Sequence, residues 1–364
     1  MPLYRGLVRL NIDSPLRARL EAEMTEQAIE YEFIYPQQLA LVLAELHAAG
    51  IQTLVLKGHA LGQMIYQQPV LRPYSDFDIL VLPDALEQAA AALRRLGYYP
   101  EAGPDFPPDY HLHHHHLAPY LHPEWLPVEL HWRLVVPSDT LHVDMDSVWA
   151  NAQPMQVNGV DTRALLPEHL LIYLALHAVS NHLFDIGLRV LVDVNEVIAA
   201  CTLDWQRVVA TSREWGCARQ LYIVLRMAHE VYDTGVPETV LHDLCPQGVV
   251  PELLIYCLTN MLNTTVAGLK QSSGLAEAWQ VPDPALRWRQ IISRLFPPSA
   301  EVAAGYGLDA GDWRRWLVYP RWQAALIRRH LTNALRLVRA DPALLESARQ
   351  EAIRRDLLEW VAQE

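Results

Sequence analysis

The sequence predicts an α+β protein: N-terminal helices, then a small mixed sheet, then a large C-terminal helical region. Three observations carry that expectation. Between residues 51 and 96, apolar runs of strand length alternate with segments of helical period. Asn158-Gly159 joins two short runs, and Asn-Gly suits a two-residue hairpin turn with positive φ at both positions. From Pro167 onward the spacing of apolar residues is helical nearly to the end.

In chain order, Leu16, Leu20, Met24, Ala28 and Tyr31 recur every three to four residues, a second helical run covers 37–49, and Gly50 ends it. A strand over 52–56 leads into a helix from His59 to about Gln67. A strand over 75–82 follows, then a helix over 84–96 with Asp84 as N-cap. Prolines break the stretch 101–108. Strands are expected over 117–121 and 126–134, and a hairpin over 153–163. Pro167 suits a first helical position, with Leu170, Leu171, Leu174 and Ala178 on the apolar face. Helices follow over 188–200, 204–215, 219–232, 237–244, 250–261, 313–338 and 342–362, with irregular stretches over 268–284 and 296–312. The expected division is 1–49 for the N-terminal helices, 50–165 for the sheet domain and 166–364 for the helical domain.

At 364 residues the chain has ample length for a sizeable core, and two domains are favoured over one. A net charge of −13 argues against a broad nucleic-acid-binding face. No apolar run reaches the length of a membrane span and the N-terminus lacks the apolar core of a signal peptide, so a cytoplasmic protein without a membrane partner is expected. Cys201, Cys217, Cys245 and Cys257 form no Cys-x-x-Cys pair and read as buried thiols. Of the 29 basic residues only Lys57 and Lys270 are lysine. A lysine kept at a strand-to-helix turn is therefore notable, because a compact ammonium reaches where a planar guanidinium does not.

The chemistry concentrates in three segments. Asp76 and Asp78 alternate with apolar residues on one strand and so point the same way. Two neighbouring carboxylates repel unless a cation lies between them, and Mg²⁺ prefers such oxygens. Gly58 opens the preceding helix without a Cβ, where free backbone N–H groups suit a phosphate; Lys57 or Arg72 then neutralises further phosphate charge. Glu129 supplies a third acid on a later strand. Three carboxylates around two cations can position both the attacking and the leaving oxygen of a phosphoryl transfer.

Leu56-Lys57-Gly58, Arg72-Pro73-Tyr74-Ser75-Asp76-Phe77-Asp78 and Val128-Glu129-Leu130-His131-Trp132-Arg133 resemble the uncharacterised bacterial nucleotidyltransferase family of the DNA polymerase beta-like superfamily. The resemblance spans roughly residues 30 to 235, and His59 stands where the broad superfamily has Gly or Ser. It implies a small mixed-sheet nucleotidyltransferase domain followed by helices, with Asp76, Asp78 and Glu129 as catalytic metal ligands for two Mg²⁺ ions, Mn²⁺ being the substitute. The substrates it implies are an NTP such as ATP and a small-molecule, peptide or protein acceptor. Lys57, Gly58, His59, Arg72, Ser75, His131, Arg189 and Asp193 are the candidates for holding nucleotide or acceptor.

Several of these residues have two readings. His131 shares a face with Glu129 and either lines the site or hydrogen-bonds backbone. Arg72 either clamps phosphate or pairs with Asp76 or Asp78. His177, His182 and Asp193 either extend the site or fill a core or interface. His113, His114, His115 and His116 suggest a metal, but four consecutive imidazoles cannot all face one ion, and a loop at the rim of the site is the better reading. Transfer of a phosphoryl or sugar group, and a nucleotide-binding module without turnover, are the alternative functions.

Overall fold

Ser14 begins the first helix, α1 (Pro15–Ile29), by accepting a hydrogen bond from the Arg17 backbone, and Pro15 needs no partner in the first turn. A π-turn, Glu30–Ile34, continues it into α2 (Tyr35–Ala48), which buries Leu39, Val42, Leu43 and Leu46 and ends before Gly50 at φ 74°. The Tyr31 hydroxyl donates to the Tyr74 carbonyl at 3.1 Å, so the N-terminal helices hold the backbone just ahead of Asp76.

The computed structural model describes residues 7–8, 10–101, 110, 114–136, 138, 140–184, 186–246 and 251–262, with single positions at 316, 319, 320, 357, 359 and 360. The chain forms two compact units, Met1–Val249 and Val250–Glu364. In the first, β1 (Leu54–Val55), α3 (His59–Met64), β2 (Phe77–Leu80), α4 (Leu86–Arg95), β3 (Tyr99–Pro100), β4 (Tyr120–Leu121), β5 (Val128–His131), α5 (Met145–Ala150), β6 (Gln153–Val157) and β7 (Val160–Ala164) build a sheet with its flanking helices.

Its seven strands run in the order β3-β4-β5-β2-β1-β7-β6. The sheet is mixed: β1 is antiparallel to β2 and parallel to β7, and β2 is parallel to β5. The central strands are short and buried on both faces, with Leu54, Leu56, Ile79, Leu80 and Leu130 closed to solvent. Burying one such side chain stabilises the fold by about 1.5–3 kcal/mol, which fixes the register. That register sets Asp78 directly beside Glu129 and Leu80 beside His131. The hairpin forms as its sequence predicts, with Asn158 at φ 46° and Gly159 at φ 82°.

Local expectations change at several points, and the strand expected over 75–82 begins only at Phe77, which leaves Asp76 outside it. The helix after Gly58 stops at Met64 instead of Gln67, where the backbone turns left-handed at φ 59°. Asp84 lies inside the 3-10 turn Pro83–Ala85, so Ala85 precedes α4 and no side chain caps it.

The helical part opens with α6 (Pro167–Leu176), which runs into a second π-turn, His177–Asn181. Then come α7 (Arg189–Ala200), α8 (Trp205–Glu214) with Asp204 as its cap, α9 (Ala218–Tyr232) and α10 (Glu238–Leu244). The buried carboxylate of Glu168 accepts from the Asp204 backbone at 2.9 Å and joins the start of α6 to that of α8. The second unit contains α11 (Pro251–Leu262). The helices expected over 313–338 and 342–362, and the irregular stretches over 268–284 and 296–312, lie outside the described residues apart from single positions. Among the described residues no helix is long and apolar enough to cross a membrane.

Candidate active site

Asp78 is the centre of the site because the sheet buries it. Side by side on β2 and β5, Asp78 and Glu129 point to one face, and His131, two residues beyond Glu129, points there too. His131 Nε2 lies 3.0 Å from Asp78 Oδ1 and 3.4 Å from Glu129 Oε2, and Lys57 Nζ donates to the same Asp78 oxygen at 2.6 Å. Burial by itself disfavours the Asp78 charge, and Lys57 and His131 outweigh it and hold the carboxyl well below the usual range. Burial likewise pushes His131 down, and its hydrogen bonds to Asp78 and Glu129 carry it above the ordinary imidazole value.

Asp76 sits one residue before β2 and is partly exposed. Burial of its carboxyl and repulsion from Asp78 raise its pKa to about 6. Asp78, Glu129 and His131 each offer one ligand atom, all within 4.8 Å of one another. Asp78 Oδ2 is buried without a hydrogen-bond partner, and an anionic oxygen left so is costly unless a cation meets it. The oxygen-rich donor set fits a divalent ion.

Gly58 carries the turn into α3 at φ 55°, and a Cβ there would approach Tyr74 Cβ to 3.2 Å, so the position demands glycine. His59 does not face the cavity: its ring lies between the Tyr74 hydroxyl and Gln63 Oε1, each at 3.0 Å, and burial lowers its pKa to about 4. The expectation that His59 binds nucleotide is corrected, since its first helical position turns it into the core.

Arg72 pairs with neither Asp76 nor Asp78. Its Nε donates to both carboxylate oxygens of Asp193 at 2.8 and 2.9 Å, and the Tyr66 hydroxyl donates to Asp193 at 2.7 Å. All three side chains are buried. Asp193 is thus an anchor that ties the segment before β2 to α7, in keeping with the core or interface reading left open for it. Arg189, one turn earlier on α7, is exposed.

Lys57, Gly58, Arg72, Ser75, Asp76, Asp78, Glu129, His131, Arg189 and Asp193 line one cavity of about 440 Å³. The rest of its wall joins segments that the sequence singled out separately. His114, His115 and His116 line it, joined by His177, Asn181 and His182 from the π-turn and its exit. His115 is buried and His116 pairs with His131 as a strand bridge, so these histidines are a wall of the cavity where a rim loop was expected; His113 lies outside the described residues. Asn181 carried no signal in the sequence beyond its place between two histidines.

The family described as uncharacterised nucleotidyltransferase matches residues 2–233, well over half of the chain. The chain belongs to this family. The motifs quoted from the sequence all fall inside the matched span, as does every residue lining the cavity. No curated protein matches. Among solved structures, one entitled "Solution Structure of Antibiotic-Resistance Factor ANT(2'')-Ia Reveals Substrate-Regulated Conformation Dynamics" matches at 11% identity, covering 54% of this chain and 96% of that one, with a TM-score of 0.36. That likeness is too slight to bear on the activity. Family membership makes the protein a nucleotidyltransferase-type transferase, with a nucleotide and an acceptor as its substrates.

Proposed function

We propose that the protein transfers a nucleoside monophosphate from an NTP to a hydroxyl of an acceptor and releases pyrophosphate. The observation that carries this reading is the meeting of Asp76, Asp78 and Glu129 with Lys57, Ser75 and Arg189 around one cavity. Asp76, Asp78 and Glu129 would hold Mg²⁺, which supplies charge stabilisation to the phosphate oxygens when bound.

The chain's own residues do the rest. Lys57 and His131 fix the Asp78 carboxylate by two donors on one oxygen and leave the other oxygen for a cation. Arg189, exposed at the cavity, supplies positive charge for the triphosphate. Glu129 takes the proton of the acceptor hydroxyl as its oxygen attacks the α-phosphorus; the bond to the bridging oxygen breaks, and pyrophosphate leaves with that electron pair.

Incubation of the full chain with each α-labelled NTP, Mg²⁺ and a cell extract should release pyrophosphate and label an acceptor by the mass of one nucleoside monophosphate. Addition of a phosphoryl or sugar mass would assign the site to a different donor chemistry, and binding of NTP without turnover would make it a sensor.

A further inference from the structure

The sheet sorts the cavity into two flanks. His116 bridges β5 at His131, β5 pairs with β2 beside Asp78, and β2 pairs with β1, which leads to Lys57. The acids therefore stand between a lysine on one side and imidazoles on the other. Of these imidazoles the reading above uses only His131.

That side is built at a conformational cost. In an α-helix, residues five apart point about 140° away from each other, whereas the i→i+5 geometry of a π-turn stacks them. The π-turn brings His177 and His182 to a centroid distance of 4.4 Å. Leu183 and Phe184 then leave it at φ 45° and 64°, conformations that side chains with a Cβ resist. Phe184 is fully buried, and its packing holds the bend. Such strain concentrates at functional sites.

The polar atoms on this side identify what it can hold. Asn181 Nδ2 faces His115 Nε2 at 3.1 Å and the Leu134 carbonyl at 3.4 Å. With Nε2 accepting, His115 carries its proton on Nδ1. That Nδ1 and Asn181 Oδ1 are both buried without partners, one a donor and the other an acceptor. His115 is only 7% exposed. Each orphaned group costs about 1–3 kcal/mol until it is paired. A hydroxyl can satisfy either, because it both donates and accepts. A carboxylate or phosphate cannot donate to Asn181, and an ammonium cannot accept from His115. Both atoms are closed to solvent in this structure. Burial, with Lys57 and His182 nearby, also keeps the His177 ring well below the ordinary imidazole value, hence uncharged.

We propose that the acceptor is a neutral, polyhydroxylated small molecule seated on the flank formed by His115, His177 and Asn181, which presents one of its hydroxyls to the acids. This rests on nucleotidyl transfer as the reaction; that hydroxyl oxygen forms the new bond to the α-phosphorus and its proton goes to Glu129.

The test uses the full chain with ATP and Mg²⁺ and three acceptor sets: neutral polyols (myo-inositol, a disaccharide, glycerol), a polycation (spermidine) and an acidic serine-containing peptide. Adenylylated product, read by mass, is expected on a polyol alone. His177→Ala and Asn181→Ala should each raise the polyol KM about tenfold and weaken its saturation-transfer NMR signal, with ATP affinity by calorimetry within about twofold of the parent. His177→Gln, which keeps a polar side chain at the wall, guards against a folding defect, and thermal melting checks all three. Transfer to spermidine or to the peptide, ATP turnover with no polyol accepted, or an unchanged polyol KM in a folded His177→Gln and Asn181→Ala pair would overturn the proposal while nucleotidyl transfer stands. No NTP bound or cleaved with any acceptor, when ATP is replaced in turn by GTP, CTP and UTP, would remove the underlying reaction, and the acceptor assignment with it.

Discussion

Lys57 Nζ and Asp78 Oδ1 lie 2.6 Å apart across the β1–β2 pairing, joining the lysine of the strand-to-helix turn to the buried acid of the site. Burial works against the Lys57 charge, the Asp78 carboxylate overrides it, and the lysine pKa rises above its ordinary value. Removing one partner of such a pair strands a buried charge at a cost of about 3–5 kcal/mol. Lys57→Met is expected to lose stability on that scale in urea unfolding. Lys57→Arg keeps the charge, and because the site accommodates a compact ammonium it should still lower kcat by about tenfold or more. Kinetics of Lys57→Arg equal to the parent's would show that the site does not require a lysine there.

The two aspartates should separate activity from stability. Asp78→Asn and Asp76→Asn each remove a carboxylate from the proposed cation site and should lower turnover by at least about a hundredfold. Asp78→Asn also deprives Lys57 of its partner and should melt earlier. Asp76→Asn should melt later near neutral pH. A carboxyl whose folded pKa is raised to about 6 contributes stability below its unfolded pKa and loses it as pH rises through the folded one, so its charge is a burden at pH 7. Thermal melts of both variants at pH 7.5 read this directly, and a lower melting temperature for Asp76→Asn contradicts it.

Arg189 and Asp193 lie one helical turn apart and should behave differently. Asp193→Ala takes the carboxylate from buried Arg72 and removes one acceptor from the Tyr66 hydroxyl, so a loss of about 3–5 kcal/mol in stability is expected. Arg189→Ala removes an exposed guanidinium and should leave the melting temperature within about 1 °C while raising the NTP KM about tenfold. A strong loss of stability in Arg189→Ala with unchanged KM would show that these assignments are reversed.

His59 predicts an acid-sensitive fold. Its folded pKa is about 4, lowered chiefly by burial, against about 6.5 in an unfolded chain. The stability tied to the neutral ring is complete above the unfolded value and declines as pH falls from about 6.5 to about 4, by at most about 1.4 kcal/mol per pH unit. Urea midpoints at pH 7, 6 and 5 should therefore fall less steeply for His59→Asn than for the parent. Parallel slopes would mean that His59 titrates outside this window.

By itself the sequence determined what local pattern can determine. Period-two and helical spacings located β2, β5, the hairpin and α6 through α10, and the two acid-bearing motifs led to Asp78 and Glu129 on neighbouring strands of one sheet, with Asp76 one residue ahead of β2. Gly58 was legible as the residue without a Cβ at the start of a helix, and its φ of 55° beside Tyr74 came only with the structure. Partner choice was not legible. Arg72 lies four residues from one acid and six from another, yet its carboxylate is Asp193, 121 residues away, because packing of α7 decides which oxygens come within reach. His59 turned into the core although its neighbours Lys57 and Gly58 line the cavity. The histidine flank also needed tertiary structure: a π-turn depends on one shifted hydrogen bond and a buried Phe184 to hold its exit, and no spacing of apolar residues encodes either. Periodicity records which face of an element is buried, whereas the pairing of charges and the bending of a helix end are settled only when distant elements compete for the same space.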